Sequence, residues 1–155
     1  MVQLNEQVQD FTLPAVGGEQ IKLSDYKGKK LVIYFYPKDM TPGCTQQACD
    51  FRDSESYFTT KNAAVIGISA DDVKSHEKFG AKYELSFPLL SDTEHQVSEQ
   101  FGVWQLKKNF GKEYEGIVRS TFLLDEEGVL IREWRKVKVE GHVDEVLQAI
   151  DETGK

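Results

Sequence analysis

The sequence predicts an α/β fold in which a mixed central sheet is flanked by helices and preceded by an N-terminal β-hairpin. Two short apolar runs without polar alternation, LVIYFY at residues 31–36 and VIGIS at 65–69, are typical of strands covered on both faces. A helical pattern follows each run, and two further strand-like runs flank a turn near the C-terminus. This order of strand, helix, strand, helix and hairpin implies a mixed sheet with helices on both faces.

The N-terminal part begins with the predicted hairpin. Residues 11–23 contain FTLPA, a Gly17-Gly18 turn and the alternating run IKL, and a short turn SDYKG follows. The run at residues 31–36 is the predicted central strand, and Pro37 ends it. A loop then leads into a helix that is predicted to begin near Cys44 and to continue to about Lys61.

The second half of the chain alternates in the same way. After the strand at residues 65–69 we predict a helix over 72–83 with Asp71 as a possible cap, a strand at 87–90 and a short helix over 95–101. Residues 105–116, rich in Lys and Gly, are predicted as a loop. Strands at 120–124 and 129–134 flank a DEEG turn, and an apolar stripe at i, i+3, i+4 and i+7 predicts a closing helix, with Val143, Val146, Leu147 and Ile150 on its buried face.

Length and composition favour one ordinary globular domain, which we place at residues 1–155. Nineteen basic and 26 acidic side chains give a net charge of -7, which argues against nucleic acid and membrane surfaces as partners. The apolar run at residues 31–36 is far shorter than the roughly 20 residues of a membrane span. The start MVQLNEQVQDF has no pattern of an export signal, so we expect a cytoplasmic protein.

The chain has two cysteines, Cys44 and Cys49, too few for the disulfide framework of a small secreted domain. Cys44 follows Pro42 and Gly43 at the predicted start of a helix, where unpaired N–H groups and the positive end of the helix dipole favour a thiolate. A thiolate is the nucleophilic form of cysteine. This position therefore indicates a reactive thiol rather than a small buried hydrophobe.

Cys49 is five residues further along the same predicted helix. On an intact helix the two Cα atoms are about 8.6 Å apart, beyond the ~7 Å limit for a bridge without backbone movement. The spacing therefore excludes a static structural disulfide and leaves a transient disulfide, or an unrelated second cysteine, as alternatives.

Other uses of paired cysteines fit the sequence less well. The C-x4-C spacing differs from zinc-ligand spacings, and His76, His95 and His142 show no paired arrangement, so we expect neither a metal nor a cofactor. A thioredoxin-type C-x-x-C motif is absent, which weakens general disulfide exchange. A Cys-His hydrolase stays open, because its histidine can be distant in the chain.

The segment YFYPKDMTPGCTQQACDFRD at residues 34–53 contains P-x-x-x-T-x-x-C, formed by Pro37, Thr41 and Cys44. This specific motif resembles the active-site signature of the peroxiredoxins. With FGVW at 101–104 and RSTFLLD at 119–125, the chain is similar from about Asn5 to Asp151 to the bacterioferritin comigratory protein, or peroxiredoxin Q, subgroup. The resemblance implies a thioredoxin-like fold.

The same resemblance implies a role for each matching residue. Cys44 would be the peroxidatic cysteine, and Arg119 would hold the thiolate and the developing negative charge on the peroxide. Thr41 would orient the peroxide through its hydroxyl, although it is also a natural helix N-cap. Four further residues would position the substrate. Pro37 and Pro42 would fix the loop, Gly43 would donate its N–H, and Gln47 occupies a helix position where relatives carry Glu or Gln.

Cys49 matches the resolving cysteine that many members of this subgroup carry. The resemblance thus implies an intramolecular cycle in which Cys44 becomes a sulfenic acid, forms a disulfide with Cys49 and is recycled by a thioredoxin-like reductant. Hydrogen peroxide and organic hydroperoxides would be the substrates, and the protein would be a monomer. A general thiol-disulfide carrier and a redox sensor without turnover are the alternatives.

Overall fold

A computed structural model describes residues 1–153, so the last two residues of the predicted domain, Gly154 and Lys155, lie outside the described residues. Its main feature is a five-stranded sheet. In spatial order its strands are Leu89–Ser91 (β5), Ala63–Ser69 (β4), Lys30–Phe35 (β3), Ser120–Leu124 (β8) and Leu130–Arg135 (β9). β3 pairs in parallel with β4 and antiparallel with β8, which confirms the mixed sheet with β3 at its centre.

Alternate residues of β3 face two separate apolar clusters, because successive side chains of a strand point to opposite faces. Ile33 and Phe35 pack on one face together with the N-terminal hairpin and the short helix α4, Gln96–Gln100. Val32 and Tyr34 pack on the other face, under buried residues of four helices. These helices are α1 Pro42–Asp53, α2 Glu55–Thr60, α3 Val73–Lys82 and α5 His142–Thr153.

The N-terminal hairpin consists of β1, Thr12–Pro14, and β2, Gln20–Lys22, in antiparallel pairing. A short 3-10 turn connects them, in which Gly17 and Gly18 have φ of 82° and 76°. Residues with a Cβ rarely adopt this left-handed region, so the two glycines make the turn possible. The predicted hairpin is thus confirmed.

The helix predicted to continue from Cys44 to Lys61 is divided in the structure. Ser54 separates α1 from α2 with φ of -102° and ψ of 7°, and its N–H donates to the carbonyls of Arg52 and Phe51 instead of to the residue four positions back. The periodicity concealed this break because Phe51 and Phe58, one on each helix, are buried in the same cluster. The prediction of one continuous helix was therefore wrong.

Two further boundaries differ from the prediction. Asp72, and not Asp71, caps α3, since its carboxylate accepts a hydrogen bond from the Ser75 N–H at 2.8 Å. β5 covers residues 89–91 rather than 87–90. Such shifts of one or two residues are common where tertiary contacts select between neighbouring polar residues.

Residues 105–116 form a second hairpin, not a loop. β6, Trp104–Asn109, pairs antiparallel with β7, Lys112–Ile117, in a separate two-stranded sheet. Phe110 and Gly111 connect the strands with φ of 52° and 78°, the positive values that tight two-residue hairpin turns require. The prediction failed because most side chains of this hairpin face solvent, and an exposed ribbon lacks the apolar alternation by which strands are recognised.

None of the helices within residues 1–153 is both long and apolar enough to cross a membrane.

Candidate active site

The site lies where β3 ends and α1 begins, at the handover where ligands of α/β sheets gather. The chain leaves β3 at Phe35, passes through a loop at residues 37–41 and enters α1 at Pro42. Proline at the first helical position loses no hydrogen bond and has the φ that a helix needs. Cys44 follows in the first turn with a side chain that is only 1% exposed.

Arg119 reaches this turn from the start of β8, the strand next to β3 in the sheet. It immediately precedes β8, whose Ser120 is paired with Phe35 at the end of β3, and this register places Arg119 beside the start of α1. Its Nη2 donates to Cys44 Sγ at 3.2 Å. Two segments that are 75 residues apart in sequence are thus joined, as the resemblance led us to expect.

The guanidinium also contacts α1 one turn further on. Nη1 of Arg119 donates to Gln47 Oε1 at 2.5 Å, so the planar fork of the side chain is held by two partners. Gln47 is fully buried and therefore is not an ordinary residue of the helix surface. Its Nε2 has no hydrogen-bond partner within the described part of the chain, which makes it a spare donor next to the sulfur and the guanidinium.

Gly43 permits the close approach of Arg119. A Cβ at this position would lie 3.3 Å from Arg119 Nη2, tighter than most such contacts. The glycine thus leaves room for the guanidinium directly beside Cys44. It also offers its N–H, because the first helical hydrogen bond is donated by Thr45 N to Thr41 O and the preceding N–H groups are free of the helix.

The surroundings of the sulfur favour negative charge. The first turn of α1 contains no acidic residue, and the dipole of the helix and Arg119 both stabilise an anion there. Lys107, on β6, is a second cation of this region that the sequence analysis missed. Burial lowers the pKa of Lys107, repulsion by Arg119 lowers it further, and attraction by Cys44 acts in the opposite sense.

Thr41 is the N-cap residue of α1, but its hydroxyl does not cap the helix. Instead Oγ1 donates to the carbonyl of Lys38 at 2.9 Å. Because that bond uses the hydroxyl proton, the oxygen retains its lone pairs as acceptors for a ligand. Of the two other loop residues that we singled out, Pro37 is half-buried and Pro42 is exposed at the start of α1.

Cys49 is a free, half-buried thiol in the middle of the intact helix α1. On such a helix the Cα atoms of Cys44 and Cys49 are about 8.6 Å apart, too far for a disulfide without unwinding. The ring of Tyr34 packs under this part of α1, stacked on Phe51 with centroids 4.7 Å apart. Burial raises the pKa of Tyr34 well above its ordinary value, and the nearby Cys44 adds to that effect.

Comparisons with known proteins agree with this geometry. A model described as the AhpC/TSA family matches residues 4–133. Peroxiredoxin Bcp of Bacillus subtilis is 58% identical over 149 residues, which cover 96% of this chain and 95% of the relative.

Solved structures give the same result. One such structure is that of the bacterioferritin comigratory protein of Xanthomonas campestris, which was studied for its alkyl peroxide reduction activity. It superposes with a TM-score of 0.89 at 46% identity, and the match covers 94% of this chain and 92% of that chain. A mutant of PrxQ from Xylella fastidiosa superposes with a TM-score of 0.94 at 36% identity, over 100% of this chain and 99% of its own.

Proposed function

Because the chain belongs to the AhpC/TSA family and is a thiol-dependent peroxidase, we propose that its turnover begins at Cys44. The thiolate attacks one peroxide oxygen, the O–O bond breaks, and hydroxide or alkoxide leaves and takes up a proton, while Cys44 becomes a sulfenic acid. The observation that carries this proposal is the 3.2 Å hydrogen bond from Arg119 Nη2 to the buried sulfur. Cysteine is otherwise mostly protonated near neutral pH and reacts slowly.

The other residues of the site bind the peroxide in this proposal. Negative charge develops on the leaving oxygen, and the N–H groups of Gly43 and Cys44 and the Arg119 guanidinium are donors that stabilise it. Thr41 accepts a hydrogen bond from the peroxide, because its own proton is committed to Lys38 O. Pro37 and Pro42 fix the loop and limit access of water. Gln47 holds Arg119 in place through the 2.5 Å bond.

Cys49 then acts as the resolving cysteine. Its thiol condenses with the Cys44 sulfenic acid, so that an S–S bond forms and water leaves. A thioredoxin-like dithiol supplies the two electrons that reopen the disulfide. Hydrogen peroxide and organic hydroperoxides are the proposed substrates, and the reported alkyl peroxide reduction by the Xanthomonas relative supports the second class.

We further propose that the chain acts as a single domain and a monomer in the cytoplasm. The net charge of -7 gives it no attraction to nucleic acid or to anionic membranes. Every reacting group of the proposed cycle is a protein side chain or a peroxide, so the cycle needs no cofactor.

Steady-state peroxide consumption with thioredoxin, thioredoxin reductase and NADPH tests the roles of the cysteines. Cys44→Ser should abolish consumption, because it removes the nucleophile. Cys49→Ser should keep the first oxidation, accumulate sulfenic acid and need an external thiol. Equal loss of the first oxidation in both variants would contradict the roles. A carrier would instead reduce insulin disulfides without peroxide, and a sensor would stop after about one peroxide per protein.

The proposed disulfide requires the first turns of α1 to unwind, which amide hydrogen exchange can measure. Protection at residues 45–50 should fall sharply on oxidation, since the helical hydrogen bonds there must open. Phe58 on α2 should stay protected, because its N–H donates to the Ser54 carbonyl, outside the unwound segment, and its ring is buried. Unchanged protection together with two alkylatable thiols after oxidation would leave a one-cysteine peroxidase.

A further inference from the structure

The buried carboxylate of Asp39 anchors the loop at residues 37–41, and the proposed cycle does not use it. The side chain of Asp39 is only 2% exposed and accepts three hydrogen bonds. Tyr36 Oη donates to Oδ1 at 2.6 Å, while Ser75 Oγ and His76 Nδ1 donate to Oδ2 at 2.8 and 2.7 Å. In addition, the N–H of Asp39 donates to Asp71 Oδ2 at 2.8 Å.

His76 is the partner that joins this anchor to α3. The ring is fully buried on α3, and its Nε2 lies 3.1 Å from the carbonyl oxygen of Leu90, which can only accept a hydrogen bond. Nδ1 faces the carboxylate of Asp39, which also accepts. Both ring nitrogens are therefore held, one by the Leu90 carbonyl and the other by the Asp39 carboxyl group, and the orientation of the ring is fixed.

The same residues resemble a cation site, since one ligand atom each of Asp39, Asp71 and His76 lies within 4.8 Å of the others. These ligand atoms already take part in hydrogen bonds within the protein. Asp71 Oδ2 accepts from Ser69 Oγ at 2.7 Å and from the Asp39 N–H, and His76 Nδ1 donates to Asp39. A cation would have to break these hydrogen bonds, so the geometry supports an anchor rather than a metal site.

The loop needs such an anchor because its backbone conformation is unfavourable by itself. Met40 has φ of 67°, in the left-handed region that costs a residue with a Cβ about 1 kcal/mol or more. The loop is held on both sides of Met40, by the four hydrogen bonds of Asp39 and by the Thr41 hydroxyl bonded to Lys38 O. Such strain persists only where the surrounding contacts impose it.

We propose that Asp39 is a positioning residue for peroxide reduction. Its hydrogen bonds with His76 and Ser75 of α3 hold residues 37–41 in place. The inference rests on the proposed function, because it assigns to this loop the task of presenting Thr41 and the N–H groups of the first turn to the peroxide. Asp39 does not touch the reacting atoms. It keeps the donors and acceptors of the peroxide site at fixed distances from Cys44 Sγ.

The test compares two reactions of the same thiol. Attack on hydrogen peroxide needs the organised loop, whereas alkylation by iodoacetamide needs only an accessible thiolate. In Asp39→Asn, an NH2 group replaces an acceptor oxygen, and we expect the second-order rate constant for peroxide to fall roughly tenfold to a hundredfold. The rate constant for alkylation should stay near that of the parent protein, so that the ratio of the two constants falls.

Asp92→Asn is the matched control. Asp92 is also a buried aspartate, accepts from the N–H groups of Val97 and Ser98 and from Ser98 Oγ, and has no hydrogen bond to residues 37–41 among the described contacts. This variant should lose thermal stability and keep the parental ratio. An unchanged ratio in Asp39→Asn, or an equal fall in Asp92→Asn, would overturn the proposal.

Ser75→Ala keeps the test decisive if Asp39→Asn does not fold. It removes one donor to Asp39 and leaves those from His76 and Tyr36. We therefore expect a smaller fall of the ratio of the peroxide to the alkylation rate constant. An unchanged ratio would overturn the proposal. Failure of the proposed function is distinguishable from failure of this inference. In that case the parent protein itself would show no rapid reaction of Cys44 with peroxide.

Discussion

The two ends of the central strand β3 are built from different interactions. At its carboxyl end, buried polar groups meet: Asp39 with His76, and Arg119 with Gln47 and Cys44. At its amino end, a cleft of about 300 Å³ is lined by apolar, amide and charged side chains, and the Lys30 ammonium forms a 3.5 Å ion pair with the half-exposed Glu126. The buried apolar residues that line this cleft are Val8, Leu23, Leu31 and Leu124.

A well-formed cleft and the proposed reactive group therefore lie at opposite ends of the same strand. A drug-sized ligand needs a concave apolar surface, but a peroxide has few atoms and gains little from such a surface. It needs fixed donors around one sulfur, and these come from a helix N-terminus and a guanidinium. Substitutions at the carboxyl end should therefore change rates, and substitutions at the amino end should change stability alone.

Among substitutions that keep both cysteines, replacement of Arg119 should change the rate most. Arg119→Met retains the length of the side chain but removes the donors to Cys44 and Gln47, and the rate constant for oxidation of Cys44 by hydrogen peroxide should fall about 10²- to 10³-fold. Stopped-flow single-turnover kinetics measures it. Arg119→Lys is the control: it keeps the charge without the planar fork and should recover part of the rate. Parental rates in Arg119→Met would remove the guanidinium from the mechanism.

At the opposite end, Leu124→Ala should lower the free energy of unfolding without changing the rate. Leu124 is fully buried in the cluster that contains Leu31 and Leu130, and truncation leaves a cavity that costs about 2–5 kcal/mol. Urea denaturation measures the loss. Peroxide kinetics well below the unfolding midpoint should match the parent protein. A comparable fall of the rate constant would show that the two ends are coupled.

The smallest effect concerns the pH dependence of stability through His142, at the start of α5. Burial lowers the pKa of His142 from 6.5, repulsion by Arg119 adds to this, and Glu145 acts in the opposite sense. As the pH falls below about 6.5, His142 therefore becomes protonated in the unfolded chain before it does so in the folded protein. The stability that this neutral histidine gives above pH 6.5 is lost as the pH falls through the lowered pKa.

The free energy of unfolding should therefore fall between roughly pH 7.5 and pH 5.5. Urea denaturation of the parent protein and of His142→Gln at both values isolates the contribution, because other titrating groups are common to the two proteins. Oxidation of Cys44 should keep its parental rate in the variant. A pH dependence that is identical in both proteins would contradict the assignment to His142.

Prediction from sequence succeeded where the signal is local or repeated. The run at residues 31–36 is apolar at every position, and such a strand has few places other than the middle of a covered sheet. It failed for residues 105–116, where exposed side chains of β6 and β7 give no such pattern. It also failed at Ser54, where the helix ends although both sides of the break keep the same buried face.

The sequence by itself determined the order of the main strands and helices, the position of Cys44 at a helix start and the resemblance that pointed to Arg119. Tertiary structure alone decided that Gln47 is buried against Arg119 and that Asp39 is paired with His76 on α3. The physical reason is the distance along the chain over which each kind of interaction acts. Periodicity, turn residues and helix termini act between neighbours in sequence, whereas a buried polar pair depends on which distant element supplies its partner, and only the packed sheet fixes that choice.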